Sequence, residues 1–322
     1  MNYVIIGDVH GMLEPLETLL QKLGFFKQNG VYQHPKYTAI FVGDLVDRGK
    51  QQRGVLTLVR AMVEYGSAKA ILGNHEYYVI SFYSINPLTQ QPFKKHTPEL
   101  LEYRRAFLRD YPFGSKAADD IINWMKSLPL FLELDGFRVA HAAWNTEIIA
   151  QLQQRIGKAG QLSKDDWQEA LTEGTSLKEA VTMLLQGVYI SMPLPTQPSA
   201  NPIPPSHLSK RYRLYWWRTQ FSAWKHIVCA KKYLERFEDM PVQPNLLAQY
   251  NYDAQQPPLF LGHYWFTGEP KLIQKNIACV DYSACVGGQL TAYVWNQADN
   301  PQKKGLREDR FVSVPSKSFL DE

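Results

Sequence analysis

Five short blocks along this chain carry the residue types that bind metals and move protons. They are GDVHG (7–11), GDLVDRG (43–49), GNHE (73–76), His141 after FRVA, and Gly262-His263 after PLFL. Together they offer carboxylates, imidazoles and one primary amide, a donor set suited to divalent first-row metals. In an extended segment residues i and i+2 point the same way, so Asp8 and His10 can grip one ion together. Adjacent residues point apart, so Asn74 can face a metal while His75 faces something else. Asp44, Asp47 and Arg48 share a tight turn and can converge from one loop. A single block has a plain explanation, since Gly-Asp is ordinary turn chemistry after a strand. Five in strand-end positions point to a metal centre.

The elements that must position these blocks are legible in the pattern. Over the first 76 residues an apolar run ending in Gly and polar residues is followed, three times, by a helical stretch. YVIIGD leads into MLEPLETLLQKLG, where Leu13, Leu16, Leu19, Leu20 and Leu23 recur at helical spacing. TAIFVGD and KAILGNHE lead into two further helices. Alternating strands and helices with short connections predict an α/β fold whose early strands are parallel, with ligands outside the carboxyl ends of the strands. LFLELDGFRVAHAAW reads as a hairpin around Asp135-Gly136. Residues 97–127 and 146–188 read as helical, 193–205 as an extended Pro-rich loop, and PLFLGHYW and KNIACVDYSACVGGQLTAYVW as strands. These assignments make 1–300 one catalytic domain and 301–322 a polar tail.

Composition narrows the class. The 322 residues, 45% hydrophobic and 20% charged, suit a globular α/β unit. A formal charge of +4 without a dense Lys/Arg run gives no reason to expect a nucleic-acid duplex as partner. Cys229, Cys279 and Cys285 form no CxxC pair, which favours a reducing compartment over a disulfide framework. No apolar run approaches the roughly 18 residues of a membrane span, and no basic leader is visible at the start. The expectation is a cytoplasmic enzyme away from membranes. Its oligomeric state is open.

The order GDxHG, GDxxDRG, GNHE, His, Gly-His resembles the calcineurin-like metallophosphoesterases, in particular their phosphoprotein phosphatase branch with its diadenosine tetraphosphatase sister group. The resemblance runs from about residue 3 to 296. It is strongest in the first three blocks and in DYSACVGGQLTAYVW, and weak over 77–135 and 146–212. It implies a β-sandwich flanked by helices in four α/β/β/α layers. It also implies two divalent ions, manganese foremost, with iron, zinc, nickel or cobalt as alternatives. Asp8 and His10 would bind the first ion, Asn74, His141 and His263 the second, and Asp44 would bridge both.

Two divalent ions balanced by only two carboxylates leave such a centre net positive, and Arg48 adds to it, which favours a phosphate dianion. Paired ions can hold the nucleophile and the phosphoryl oxygens of an in-line displacement. Arg48 can clamp two phosphate oxygens in its planar fork. His75 would protonate the leaving oxygen, oriented by Asp47, which also favours its imidazolium form. The family's second phosphate-binding arginine is expected in RYRLYWWRTQ, with Arg218 favoured over Arg213. HAAW, GHYW and DYSAC depart from the family's usual His-Ala-Gly, Gly-His-Thr and Asp-Thr-Gly. Trp144, Tyr264 and Trp265, with the Pro-rich loop, are therefore expected to wall the substrate cleft. The main functional expectation is a phosphomonoesterase acting on a phosphorylated protein or small molecule. The alternative is a symmetrical diadenosine tetraphosphate hydrolase cutting a phosphoanhydride, and the His75–Asp47 acid pair tilts the balance toward monoesters.

Overall fold

A computed structural model describes residues 1–191, 211–229, 242–243, 245–299 and 305–320; the Pro-rich run 193–205 lies outside them. In chain order the first half places β1 (Asn2–Ile6), α1 (Leu13–Lys22), β2 (Phe26–Gln28), β3 (Val31–Gln33), β4 (Tyr37–Phe41), α2 (Gln52–Tyr65), β5 (Ala68–Ala70) and α3 (Asn74–Tyr83). Then come α4 (Pro98–Tyr103), α5 (Arg105–Asp110), α6 (Lys116–Lys126), β6 (Phe131–Leu134), β7 (Phe137–Ala140), α7 (Thr146–Ile156), α8 (Lys164–Leu171) and α9 (Ser176–Gln186). The remaining strands are β8 (Tyr189–Ser191), β9 (Arg211–Arg213), β10 (Leu259–Leu261), β11 (Leu272–Gln274), β12 (Ile277–Cys279), β13 (Asp281–Tyr282), β14 (Gln289–Trp295) and β15 (Phe311–Pro315).

Two sheets form the centre. One has the order β13-β14-β1-β4-β5 with β15 beside β14, and the other the order β11-β12-β10-β7-β6. β1, β4 and β5 are parallel, as the alternating pattern requires, and β6–β7 is the expected hairpin. Side chains alternate across the strands with period two. Tyr3, Ile5 and Ile40 face Phe137, Val139 and Phe260 in the core between the sheets, while Val4, Ile6, Ala39 and Phe41 face the helical side. The β2–β3 hairpin was not visible in the sequence pattern.

Part of the expected tail is instead a strand. Phe311–Pro315 pairs antiparallel with β14, and Phe311 packs edge-on against Tyr293 at 5.1 Å. The short alternation of FVSVP covers an edge of β14 that would otherwise present unpaired backbone groups. No described helix is long and apolar enough to cross a membrane.

Candidate active site

The loops after β1, β4 and β5 are fastened to one another through the backbone. The N–H groups of Val9 and His10 donate to the Asp44 carbonyl at 3.1 and 2.8 Å, and Gly11 N–H to that of Leu45 at 2.9 Å. Glu76, in the first turn of α3, closes the assembly. Its buried carboxylate accepts from the N–H of Asp44, Leu45, Val46 and Gly73 at 2.8, 2.8, 3.2 and 2.9 Å. Gly73 must be glycine, because a Cβ there would strike the Asp44 amide and carboxylate. Four of the nine described non-glycine residues with positive φ, His10, Asp44, Asp47 and Arg48, lie in these loops, and His263 and Trp265 follow β10. Such conformations persist only where the surroundings over-determine them, as this lattice does.

These loops gather the predicted ligands around Asp44. Its Oδ2 stands 3.4 Å from His141 Nε2, 3.6 Å from His10 Nε2 and 3.9 Å from His75 Nε2. The ligand atoms of His10, Asp44 and His75 form one group within 4.8 Å of each other, and those of Asp44, His141 and His263 form a second. Asn74 Oδ1 is 2.9 Å from His141 Nε2. Asp8 is outside both groups, with Oδ2 accepting from the His263 N–H at 3.0 Å.

The ring contacts fix which nitrogens can accept a metal. His10 Nδ1 lies 2.9 Å from the Val46 carbonyl and His141 Nδ1 2.7 Å from that of Val42, so each donates there and keeps its Nε2 lone pair for the cluster. His263 is turned the other way, with Nε2 2.9 Å from the Gln186 carbonyl. Asp8 Oδ1 and His10 Nε2 are buried with no hydrogen-bond partner. Burial, aided by Asp281 and Asp44, pushes the Asp8 carboxyl well above its usual range. Burial and the neighbouring His75 bring His10 down to about 3. Neutral imidazoles and crowded carboxylates with orphaned atoms are what a cation would relieve, so these residues fit divalent metals.

Beside the cluster, His75 Nδ1 is 2.7 Å from Asp47 Oδ2, the predicted pair. A residue absent from the sequence reading completes it. Arg104 is buried at the α4–α5 junction, and its Nη1 donates to both Asp47 oxygens at 2.7 and 3.0 Å. Burial works to raise the Asp47 pKa, but Arg104 and then His75 hold it below the usual carboxylate range. The Arg48 guanidinium carbon lies over the Trp265 ring, 3.6 Å from its centroid, and its buried Nε has no hydrogen-bond partner. Asp281 anchors that turn by accepting from the Trp265 and Ser283 N–H groups at 2.7 and 3.1 Å.

Two cleft-wall expectations are corrected, and the two candidate arginines are placed. Arg218 is exposed, donates to the His226 carbonyl and covers Tyr215; Arg213 instead reaches the His263 carbonyl, with Nη1 3.5 Å away. Strand pairing of β9 with β8 sets this difference, because it lays Arg213 against the Tyr189 hydroxyl at 2.9–3.0 Å, while Arg218 lies beyond the turn that follows. Trp144 and Tyr264 are core residues, 2% and 1% exposed, with the Tyr264 hydroxyl donating to the Ala142 carbonyl. Trp265 alone of the three stands at the site. The expected loop wall at 193–205 falls outside the described residues.

A cavity of about 1080 Å³ opens beside His75, lined in part by Tyr78, Tyr103, Tyr189, Lys94 and Lys178, with Arg104 in its wall. Its volume reaches the upper end of the usual range for small-molecule sites.

The calcineurin-like phosphoesterase family profile matches residues 1–175. The chain is 35% identical over 158 residues to the asymmetrical bis(5'-nucleosyl)-tetraphosphatase PrpE of Oceanobacillus iheyensis, a match spanning 48% of this chain and 61% of that protein, less than two thirds of its length. It is 25% identical over 305 residues to a symmetrical bis(5'-nucleosyl)-tetraphosphatase of Pectobacterium carotovorum, covering 92% of each. Among solved structures, a protein serine/threonine phosphatase from Saccharomyces cerevisiae aligns with a TM-score of 0.49 and 16% identity, over 99% of this chain and 80% of that one. The matched segment holds His10, Asp44, His75 and His141 of the paired clusters, leaving only His263 beyond it, and the chain belongs to the calcineurin-like phosphoesterase family of metal-dependent phosphoester hydrolases.

Proposed function

We propose that this hydrolase cuts a phosphoanhydride of dinucleoside polyphosphates, with bis(5'-nucleosyl) tetraphosphates as the substrate class. The observation that carries the reading is the cavity of about 1080 Å³ beside His75, whose wall brings Tyr78, Tyr103 and Tyr189 together with Lys94 and Arg211, while Lys178 there is paired with Glu173. Rings that stack on a base and ammonium groups that meet a polyphosphate suit a nucleotide, whereas a phosphorylated side chain needs only an open approach to the centre. The names of the relatives support the same class, one of them along nearly the whole chain. The His75–Asp47 pair, braced by Arg104, can serve a phosphate leaving group as well as an alkoxide.

In this reading Asp8, His10 and Asp44 hold one divalent ion and Asp44, Asn74, His141 and His263 a second, with manganese the first metal to test. When bound, paired ions supply Lewis acidity toward the phosphoryl oxygens and toward the attacking water. Arg48, packed over Trp265, offers its fork to non-bridging oxygens, and Arg213 adds charge on the His263 side. His75, fixed through Nδ1 by Asp47, turns Nε2 to the cluster and gives its proton to the departing phosphate oxygen. Arg104 keeps Asp47 in that orientation.

Purified protein supplied with manganese is assayed on diadenosine tetraphosphate, a phosphoserine peptide and p-nitrophenyl phosphate. The expected result is a kcat/KM for the tetraphosphate at least tenfold above that for the peptide, roughly 1.4 kcal/mol of discrimination. A preference for the peptide overturns the substrate reading.

A further inference from the structure

We infer that a second cleft, separate from the cavity beside His75, is the seat for the other nucleoside of a dinucleoside substrate; this rests on the substrate reading above. The cleft has a volume of about 500 Å³ and is lined by Tyr215, Trp217, Phe266 and Tyr282, with Arg218 and Lys271 among the polar residues of its wall. That volume lies within the usual range for small ligands. Tyr215 and Phe266 are nearly parallel, with centroids 6.4 Å apart and planes 19° apart, and Trp217 stands across both. Arg218 lies over the Tyr215 ring, so a base entering the cleft would stack in place of that guanidinium, with Lys271 and Glu269 at the rim, and every nucleobase has a face to stack.

The path of the chain links this cleft, through the metal cluster, to the first cavity. Arg211 lines the cavity beside His75. Two residues on, Arg213 reaches the His263 carbonyl at the cluster. Two residues further, Tyr215 lines the second cleft, followed by Trp217. A second segment makes the same connection. His263 belongs to the cluster, Trp265 carries Arg48, and Phe266 enters the cleft wall. Leu214 points into the core between Arg213 and Tyr215, so the extended run through 211–215 keeps 211, 213 and 215 on one side, before the turn at Trp216 and Trp217. A polyphosphate laid over the cluster would follow Arg211 and Arg213 and deliver its far nucleoside to Tyr215 and Phe266.

Neither the metal ligands nor the acid pair would sense this cleft directly, so its signature is a change in discrimination. The test compares kcat/KM for diadenosine tetraphosphate with that for adenosine 5'-tetraphosphate, which has the same phosphate chain and one nucleoside. In Phe266→Leu and Tyr215→Leu the ratio should fall about tenfold, within the range measured when a base loses an aromatic partner. Lys271→Glu is the control for folding, since Lys271 is exposed, and it should lower the same ratio several-fold. If the wild type cleaves diadenosine tetraphosphate but all three variants keep the ratio within twofold, the cleft assignment is wrong while the substrate reading stands. If the wild type leaves diadenosine tetraphosphate intact and hydrolyses phosphopeptides, the substrate reading fails and this assignment falls with it.

Discussion

The two flanks of the metal cluster are built by different means. On the amino-terminal side, the loops after β1, β4 and β5 are fixed by backbone hydrogen bonds, a buried Glu76 and glycines that admit no side chain. On the other side, Arg213, Tyr215 and Phe266 are placed by a two-strand pairing and by rings packed on rings. Backbone lattices tolerate almost no substitution, whereas aromatic packing can be rebuilt with other large side chains of similar volume. Chemistry should therefore be concentrated on the first flank and substrate choice on the second.

The largest effect expected from this division is at Asp44, around which His10, His75 and His141 converge. Asp44→Asn should lower kcat/KM for p-nitrophenyl phosphate by roughly a thousandfold, beyond the 10–100-fold typical for groups that only support a ligand. Elemental analysis of the manganese-saturated variant should show less than the two ions per chain expected of the wild type. Two ions retained with near-normal turnover would remove Asp44 from the centre, and full activity of the wild type in excess chelator would remove the metals altogether.

Glu76→Gln comes next, because both carboxylate oxygens already accept two N–H groups. Neither orientation of a glutamine amide avoids aiming its own N–H groups at two backbone donors. A loss of about 3 kcal/mol in unfolding free energy follows from leaving those buried donors unmet. Denaturant titration of the metal-free protein measures it, and an unchanged midpoint would show that the lattice does not depend on this carboxylate.

The same contrast explains what the sequence could and could not reveal. Asp8, His10, Asp44, Asn74, His75, His141 and His263 were legible because strand-end turns advertise themselves through glycine and through polar residues that a core would reject. The parallel order of β1, β4 and β5 followed from the same alternation. Arg104 was not legible, since it stands in a helical stretch with no motif and meets Asp47 only through the tertiary fold. Glu76 stood in a quoted block, and its position three residues after Gly73 was the available clue to a carboxylate closing the helix start. Arg213 and Arg218 could not be ranked from spacing, because the direction of each depends on which strand β9 pairs with. FVSVP was too short a run among polar neighbours to announce an edge strand.

Arg213 sharpens the comparison at an intermediate scale. Its Nε and Nη2 are committed to the Tyr189 hydroxyl at 3.0 and 2.9 Å, and only Nη1 reaches toward His263. Arg213→Lys keeps the charge but loses this fork, so KM for p-nitrophenyl phosphate should rise about five- to tenfold with a smaller change in kcat. If Arg218→Lys produced the larger rise, Arg218 rather than Arg213 would be the arginine that meets the phosphate.

The smallest effect is expected at Trp144, which the sequence suggested as a cleft wall and the fold places in the core. Its ring packs edge-on against Phe131 at 5.7 Å and lies 4.7 Å from the Arg138 guanidinium. Its Nε1 is buried without a partner, so the indole N–H contributes nothing that phenylalanine would forfeit. Trp144→Phe removes packing volume alone, and the cost should be about 1–2 kcal/mol of stability, read as a lower Tm. The relative kcat/KM values for diadenosine tetraphosphate, adenosine 5'-tetraphosphate and p-nitrophenyl phosphate should stay within twofold of the wild type. A reordering of those three substrates would mean that the residues after His141 reach the substrate after all, and the second flank would then extend beyond the rings of Tyr215 and Phe266.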